Sequence, residues 1–237
     1  MDLRQLGLVL FCFAIAVAGG ALIASARTDD VEPMTMERLQ ALIVQRNLDI
    51  ADQIRPDSTF HFVSTEWDPS RADLPPGPGA YPVHSRTEYW VYYNERGEVA
   101  GYRSEIRDED TGELFSLGLM EQGVLRQVSI RYPDSEAAES TIPKGDATMA
   151  FREALKERLA GGESPYDEGW RLVGADEIDR KNVFVLERDR AGGLERVYVD
   201  ARTFRPERTE DIRDGSIVNV QKGPFVEILS GNQVPRD

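Results

Sequence analysis

Two features of this sequence could contribute to a metal site, and neither is complete. Residues 108–112 have the sequence DEDTG, which begins like a calcium-binding loop. They lack the third acidic ligand before the glycine and the closing glutamate of a full loop. The only histidines are His61 and His84, and their spacing brings no third ligand beside them. We therefore predict a tight turn at residues 108–112, no metal site and no cofactor.

Residue patterns typical of catalysis are also missing from the sequence. It contains no G-x-S-x-G, no H-E-x-x-H and no phosphate-cradling G-x-x-x-x-G-K. Carboxylates are plentiful, but in runs such as residues 187–190, ERDR, they alternate with arginine, which is typical of a solvent-facing strand. We predict no catalytic residues and no enzyme activity. An exported hydrolase that uses paired carboxylates is the remote alternative.

Charge and composition exclude some classes of partner. The chain has 237 residues, of which 41% are hydrophobic and 30% are charged, which suits one ordinary domain with appendages. Its 42 acidic residues outnumber its 28 lysines and arginines, for a net charge of −14. Nucleic acid and anionic membrane surfaces attract basic faces, so we predict neither as a partner of the domain. Cys12 is the only cysteine, so no disulfide can form within the chain.

Aromatic side chains on two predicted strands are the best candidates for ligand contacts. One strand covers residues 59–67, and the other covers residues 87–94, TEYWVYYN, with aromatic rings on both faces. An antiparallel strand with one solvated face should alternate apolar and polar residues. The second face is therefore covered either by a helix or loop, or by a ligand or partner. The predicted ligand-binding residues are Phe60, Phe62, Trp90 and Tyr92.

A proline-rich segment separates these two strands. Residues 68–82 contain five prolines and two glycines. Proline at this density stiffens a segment, and a long insert inside a domain is usually either functional or a spacer. Two interpretations of this segment stay open. It is either a lid or partner-binding loop over the mouth of a hollow, or a spacer without a specific role.

Two predicted helices each precede a series of strands. Thr35 is the expected N-cap of a helix that runs to about residue 54. The apolar residues of this helix recur on one face: Leu39, Ile43, Ile50 and Ile54. Asp146 is the expected N-cap of a second helix over residues 147–160, which Gly161 and Gly162 end. The strands that follow each helix are punctuated by Gly, Asp and Pro turns.

The strands of the C-terminal half carry a further sequence pattern. It covers three stretches: residues 172–178, 183–187 and 196–208. Within the last stretch, Asp200, Thr203 and Pro206 give the spacing Asp-x-x-Thr-x-x-Pro between two strands. The Asp200 carboxylate can close an Asx-type turn, and Pro206 keeps the loop from pairing too early. The pattern resembles the second half of LolA-like proteins, the superfamily of lipoprotein carriers and RseB/MucB-type sensors.

The resemblance implies a function as well as a fold. A carrier of this superfamily would use a curved sheet with an apolar hollow for an acyl chain or a lipidated peptide. A sensor would use the same fold with a closed core. The resemblance covers a small part of the chain, and its motif specifies the fold more than any one activity.

The two halves of the chain echo each other in sequence. Residues 91–92 and 197–198 are both Val-Tyr, and residues 103–108, RSEIRD, resemble residues 208–214, RTEDIRD. Because each half is a helix followed by strands, the echo suggests one unit used twice. Coincidence between two polar hairpins is the alternative.

From these elements we predict an α+β fold. It is a strongly curved antiparallel sheet, an open half-barrel of about ten strands, with two helices on the concave side. We place a single LolA-like domain at residues 35–237. Its halves would cover residues 35–135 and 145–230, with each half exposing an apolar face that only the other can cover.

An uncharged apolar run lies at the N-terminus. Residues 6–26 contain 21 residues without charge, which is the length of a membrane span. Their last three residues, ASA, match the small-x-small site of a cleaved signal peptide. Two interpretations stay open: a retained membrane anchor and a cleaved signal peptide. Either one would export the chain that follows it, which begins with a short linker at residues 27–34. We therefore predict an extracytoplasmic domain that meets a membrane only through this segment.

Three functions follow from these expectations. The first is a non-enzymatic binding protein that holds a lipid, acyl chain or lipidated peptide in an apolar hollow. The second is an envelope regulatory, sensor or scaffolding protein with a closed core and an envelope protein as partner. The third is the exported hydrolase. An apolar pocket would favour the first, a filled core the second, and carboxyl pairs that share a cleft the third.

Overall fold

The computed structural model describes most of the chain beyond its N-terminal segment. The described residues are 33–73, 81–121, 123–130, 138–141, 145–160, 166 and 169–235. They form helices α1 (Met36–Gln53) and α2 (Ala147–Ala160), and a short 3₁₀ helix at Pro69–Asp73. They also form eleven strands: β1 (Ser58–Trp67), β2 (His84–Tyr93), β3 (Val99–Asp108), β4 (Leu114–Glu121), β5 (Val124–Ser129), β6 (Ala138–Thr141), β7 (Trp170–Ile178), β8 (Lys181–Arg190), β9 (Gly193–Asp200), β10 (Pro206–Arg213) and β11 (Ser216–Ser230). The predicted signal or anchor at residues 6–26 lies outside the described residues.

All of the described strands belong to one antiparallel sheet. Their order across the sheet is β6-β5-β4-β3-β2-β1-β11-β10-β9-β8-β7. The first six strands form one meander and the last five form another, and the two join where β11 pairs with β1. The predicted α+β fold is confirmed: an open, curved sheet with both helices on its concave side.

The described part of the sheet has eleven strands, which agrees with the predicted number of about ten, and the short strand β6 forms one edge. Residues 216–220 and 225–229, which look like two strands, belong to the single strand β11. The limits of the domain and the internal repeat stay predictions.

Helix α1 begins and packs as its sequence predicts. The Thr35 hydroxyl accepts a hydrogen bond from the backbone N–H of Arg38 at 3.2 Å, which satisfies one free donor of the first turn. The helix ends at Gln53, three residues before Pro56. The predicted apolar face is confirmed, since its four members are each at most 1% exposed: Leu39, Ile43, Ile50 and Ile54.

Helix α1 packs on the concave side of the sheet, the inner face, through two apolar clusters. Leu39 and Ile43 pack against side chains of β8 and β9. Ile50 and Ile54 pack against side chains of β1, β2 and β11. Ala147, the first residue of α2, packs against the second cluster, so both helices lie on the inner face.

The opposite side of the sheet, the outer face, carries rows of ion pairs. On β3, the buried carboxylate of Glu105 accepts hydrogen bonds from Arg103 and Arg107. On the second meander, the Glu187 carboxylate accepts two hydrogen bonds from Arg196, at 2.7 and 2.9 Å. These pairs stabilise charged side chains on a face to which α1 does not extend.

The charged run at residues 187–190 differs from the solvated strand that its alternation suggests. Successive side chains of a strand point to opposite faces, so Glu187 joins the outer ion pairs while Arg188 lies on the inner face. There the Arg188 guanidinium lies over the Trp170 ring, 4.7 Å from its centre, and donates to Glu195. Glu187 is only 9% exposed.

Two turns with the sequence Asp-x-x-Thr hold the ends of strands. After β9, the Asp200 Oδ1 atom accepts hydrogen bonds from the N–H groups of Arg202 and Thr203 and from the Thr203 hydroxyl. This confirms the predicted Asx-type turn. Asp108 makes the corresponding bonds after β3, which confirms the tight turn at residues 108–112.

Candidate ligand-binding surface

The four predicted ligand-binding residues lie on two different faces of the sheet. Phe60 and Phe62 are 5% and 1% exposed and belong to the apolar core under α1. Strands β1 and β2 pair so that Phe62 lies opposite Tyr89. Trp90 and Tyr92 therefore face the other way, because β2 alternates its side chains. One hollow cannot be lined by all four residues, which corrects the predicted grouping; a contact of any of them with a ligand stays a prediction.

On the outer face, Trp90 and Tyr92 have partners within the protein. The Trp90 ring stacks on the His61 ring, with 5.1 Å between centres and 10° between planes. The Nε2 atom of His61 lies 2.7 Å from a carboxylate oxygen of Glu88. The Tyr92 hydroxyl donates to the Asp57 carboxylate at 3.2 Å. The second face of the aromatic strand is thus occupied by side chains of neighbouring strands and turns.

On the inner face, the core continues beyond Phe62 as a surface of tyrosine rings. Tyr89 meets Phe62 edge-on, with ring centres 5.6 Å apart, and its ring centre lies 6.4 Å from that of Tyr102. Burial raises the pKa of the Tyr89 and Tyr102 hydroxyls, and the nearby Tyr102 and Tyr81 hydroxyls raise the pKa of Tyr89 further. The rings present large apolar areas with polar tips. We name Tyr81, Tyr89 and Tyr102 the tyrosine surface.

Short residues surround the tyrosine surface. Ser64 on β1, Ser104 on β3 and Gly118 on β4 hold inner-face positions and are buried. Ser104 lies opposite Tyr89 on one side and Gly118 on the other. The space above Gly118 is filled by its neighbours, because a Cβ atom there would collide with the Ser104 hydroxyl and lie 3.2 Å from the Tyr102 ring. The short residues therefore make room for the tyrosine rings.

Arg71 fastens the two ends of the proline-rich segment at the rim of this surface. Its guanidinium donates to the Glu66 carboxylate of β1 and, at 3.3 Å, to the Ser85 hydroxyl of β2. It also lies 3.2 Å from Asp68 and 5.6 Å from the centre of the Tyr81 ring. The two described ends of the segment, residues 68–73 and 81–82, are therefore bound to one side chain, whereas residues 74–80 of the predicted loop lie outside the described residues. We name this arrangement the Arg71 clasp.

The outer face of the last strands contains a shallow groove of about 290 Å³. It is lined by Val173, Gly174, Ala175, Asp176, Val185, Glu187, Arg196 and Tyr198. Its polar groups are already bonded: Arg196 donates to Glu187, and the Tyr198 hydroxyl donates to Glu210 at 3.1 Å. An open groove with paired charges differs from the mostly apolar pocket that holds a lipid.

The two histidines bind different carboxylates and do not converge. His61 pairs with Glu88, whereas the Nδ1 atom of His84 lies 2.9 Å from Asp110 in the turn after β3. Among the residues that the structure describes, no three His, Cys, Asp or Glu side chains come together as a metal site. Within the same part of the chain, neither helix is long and apolar enough to cross a membrane.

Sequence analysis missed the Arg71 clasp and the division of the aromatic residues between faces. A signal for the clasp exists, because Asp68 precedes Arg71 by three residues, the spacing of an ion pair within one helical turn. Alternation along the strand places Tyr89 and Trp90 on opposite faces, but the sequence carries no signal for which of the two shares a face with Phe62. That choice is set by the register between β1 and β2, which a single sequence does not give.

Comparison with solved structures identifies similar proteins at low sequence identity. A chain of the Pseudomonas aeruginosa MucA/MucB complex is 16% identical with a TM-score of 0.39, over 82% of this chain and 58% of that one. A LolA superfamily protein from Nitrosomonas europaea is 13% identical with a TM-score of 0.27, over 86% and 96% of the two chains. LprF from Mycobacterium bovis is 9% identical with a TM-score of 0.38, over 85% and 98%.

The chain spans between 55% and 59% of the length of the three MucA/MucB or MucB structures that it matches. No protein-family model matches the sequence, and no curated protein matches it either. What the protein binds therefore has to follow from its own residues.

Proposed function

We propose that this protein is a non-enzymatic binding protein that holds the apolar chain of a lipid or lipidated peptide on the inner face of its sheet. The observation that carries the proposal is the tyrosine surface, with short residues around it and the Arg71 clasp at its rim. A chain bound there would lie between the rings and the proline-rich segment. Each buried methylene contributes about 0.8 kcal/mol, so roughly ten of them supply the free energy of micromolar binding.

The use of the charged groups supports a non-enzymatic role. Glu105, Glu187 and Glu210 are the buried glutamates of the outer face, and each is paired with arginine. A carboxylate engaged by arginine is poorly placed to take up a proton as a catalytic acid. The exported hydrolase would need a carboxyl pair that shares a cleft without such partners.

An extracytoplasmic location belongs to the same proposal. Residues 6–26 would either anchor the domain to a membrane or be removed after export. N-terminal sequencing of the native protein after cell fractionation distinguishes the two forms. Recovery of the full-length chain in the soluble cytoplasmic fraction would contradict export.

A second candidate function, an envelope sensor or scaffold with a closed core, is favoured by the packing under α1. Phe60 and Phe62 fill the inner face together with Ile50 and Ile54, so this part of the sheet offers no room to a ligand. A protein of this kind would bind an envelope protein through its surface. The two candidates differ in whether the tyrosine surface opens to an apolar chain.

Tyr89 and Trp90 provide a matched test, because they are consecutive residues on opposite faces of β2. The probe is a fluorescent long-chain fatty acid titrated into the full chain. We expect saturable binding that weakens about tenfold in Tyr89→Ala, since one aromatic contact of roughly 1.4 kcal/mol is lost. Trp90→Ala should bind as the wild type does. Weakening in Trp90→Ala alone, or equally in both variants, would contradict a site on the inner face.

The Arg71 clasp provides a kinetic test of the proline-rich segment as a lid. Arg71→Ala should raise the dissociation rate of the fatty acid more than it lowers the melting temperature, because the clasp binds the segment and not the core. Arg126→Ala is the matched control, since Arg126 pairs with Glu139 on the outer face. If the wild type binds no fatty acid at micromolar concentration, the lipid-holding function fails and the sensor or scaffold candidate leads.

A further inference from the structure

The sheet has a notch where β10 stops covering β11. Strand β11 is the longest of the described strands, with 15 residues. Its residues 216–222 pair with β10, whereas residues 225–230 pair with β1 alone among the described strands. The turn at residues 200–205, which connects β9 to β10, lies at the end of β10 from which this pairing is absent. We name this gap beside residues 225–230 the notch.

Helix α1 crosses the notch between its two apolar clusters. Ile43 packs over β8 and β9, and Ile50 packs over β1, β2 and β11, so the helix between them passes over the intervening strands. Arg46 lies three residues after Ile43 and four before Ile50, a spacing that places it beside the buried stripe of the helix. Phe204 packs against the cluster that contains Ile43, which brings its neighbour Arg205 toward the helix.

Some nitrogen atoms of two guanidinium groups lack hydrogen-bond acceptors at this place. Within the part of the chain that the structure describes, the Nε and Nη2 atoms of Arg46 and the Nε atom of Arg205 are buried and have no partner. Buried polar groups are nearly always bonded, and a buried charge without a partner is costlier still. Burial lowers the pKa of both groups, and the charge of Arg46 lowers the pKa of Arg205 further.

Carboxylates near the notch raise the pKa of the two arginines but do not form ion pairs with them. Asp49 raises the pKa of Arg46, and three carboxylates raise that of Arg205: Glu207, Asp200 and Glu227. Two of these are engaged elsewhere, since Asp200 closes its turn and Glu207 pairs with Lys181 at 2.6 Å. The Nε and Nη2 atoms of Arg46 and the Nε atom of Arg205 are therefore left without an acceptor among the described residues.

We propose that Arg46 and Arg205 bind an anionic oxygen group, a carboxylate or a phosphate, at the notch. The inference rests on the proposed function, because this group would be the head of the ligand whose chain lies on the inner face. The two sites are linked through the core, since Val226 at the notch lies opposite Phe62, and the Phe62 ring contacts Tyr89 of the tyrosine surface. Guanidinium groups match the several acceptor atoms of a carboxylate or phosphate and bind them with charge-assisted hydrogen bonds.

A matched pair of probes tests this proposal: a fluorescent fatty acid and its methyl ester, which share a chain and differ in charge. In the wild type, the acid should bind about tenfold to a hundredfold more tightly than the ester, the ratio expected for charge-assisted hydrogen bonds. In the double variant Arg46→Gln/Arg205→Gln, the acid should fall to the affinity of the ester, and the ester should be unaffected. Arg96→Gln, in the exposed turn after β2, is the control and should leave both affinities unchanged.

A second arm separates this inference from the proposed function. Inorganic phosphate should raise the melting temperature of the wild type and not that of the double variant if the site takes a free anion. Equal binding of acid and ester by the wild type would overturn the anion site and leave the lipid-holding function standing. If neither probe binds but phosphate acts as described, the anion site stands and the lipid-holding function fails. If neither probe binds and phosphate has no effect, both fail.

Discussion

Replacing Asp200 measures how much the turn after β9 contributes to stability. Asp200→Ala removes a carboxylate oxygen that accepts three hydrogen bonds, at 2.9, 2.6 and 2.9 Å, from Arg202 and Thr203. Loss of a capping side chain costs about 1–2 kcal/mol, and hydrogen bonds to a charged group contribute about 1.5–3 kcal/mol. The turn also holds Phe204 in a left-handed conformation, with φ of 55°, which a phenylalanine adopts only at a cost. We expect the free energy of unfolding to fall by about 2–3 kcal/mol.

Asp108→Ala is the matched control for this prediction. Asp108 accepts the same kinds of hydrogen bonds in the turn after β3, but Asp200 is 7% exposed and Asp108 is more open to water. Water can replace a lost acceptor at an exposed site, so Asp108→Ala should cost no more than about 1 kcal/mol. Urea unfolding of both variants, followed by tryptophan fluorescence, gives the two values. Equal losses would show that burial of the turn after β9 adds nothing.

The pH dependence of a second variant at this position, Asp200→Asn, gives an independent check. Burial raises the pKa of the Asp200 carboxyl, but the hydrogen bonds from Thr203 and Arg202 outweigh it, and the pKa lies below its usual value. Because the folded pKa is lowered, the contribution of the carboxylate is complete above the unfolded pKa of about 3.9 and is lost as the pH falls through the folded pKa. The stability difference between the wild type and Asp200→Asn should therefore shrink below about pH 4. A difference that stays constant down to acid unfolding would refute the reasoning.

Three further predictions follow from the core, the turn after β3 and the topology. Phe62→Ala should lower the free energy of unfolding by about 3–5 kcal/mol without any ligand, because the Phe62 ring is buried under α1. Urea unfolding measures this loss, and a loss below about 1 kcal/mol would contradict the core position of Phe62. The melting temperature should not change with calcium or EDTA, because the carboxylate in the turn at residues 108–112 bonds to its own backbone; a rise of several degrees with calcium would reveal a metal site. Dividing the chain near residue 144 should leave neither half folded, because β11 of the second meander pairs with β1 of the first; two fragments that melt independently would disprove the single sheet.

The parts of the fold that depend on local sequence are the parts that sequence analysis predicts. The cap at Thr35 and the turn at Asp200 form between residues at most three positions apart, so their patterns carry the structure directly. Strand β11 depends on distant residues instead. Gly223 and Pro224 interrupt its apolar run and suggest two strands, but pairing with β1 continues on both sides of the interruption.

The candidate site was less predictable than the fold, because it depends on which faces meet. Periodicity separates Tyr89 from Trp90, yet only the register of β2 against β1 decides which of them shares a face with Phe62. The notch depends on a still longer range, since Arg46 and Arg205 come from opposite halves of the chain. Their types and positions in sequence carry no sign that their donors are unpaired.

The contrast between the outer face and the notch leads to a last prediction, Arg46→Met. On the outer face, buried Glu105 lies between two arginines, so each charge has an opposite partner. At the notch, two arginines have buried donors without acceptors, and the charge of Arg46 lowers the pKa of Arg205, so we expect this arrangement to lower the stability of the free protein. Met has a similar reach and no charge, so Arg46→Met should raise the melting temperature without ligand while the fatty acid binds no better than its methyl ester. If Arg46 has only a structural role, Arg46→Met should instead lower the melting temperature and leave the preference for the acid over the methyl ester unchanged. A ligand that binds only the folded state stabilises it. An excess of the acid should therefore raise the melting temperature of the wild type to that of Arg46→Met.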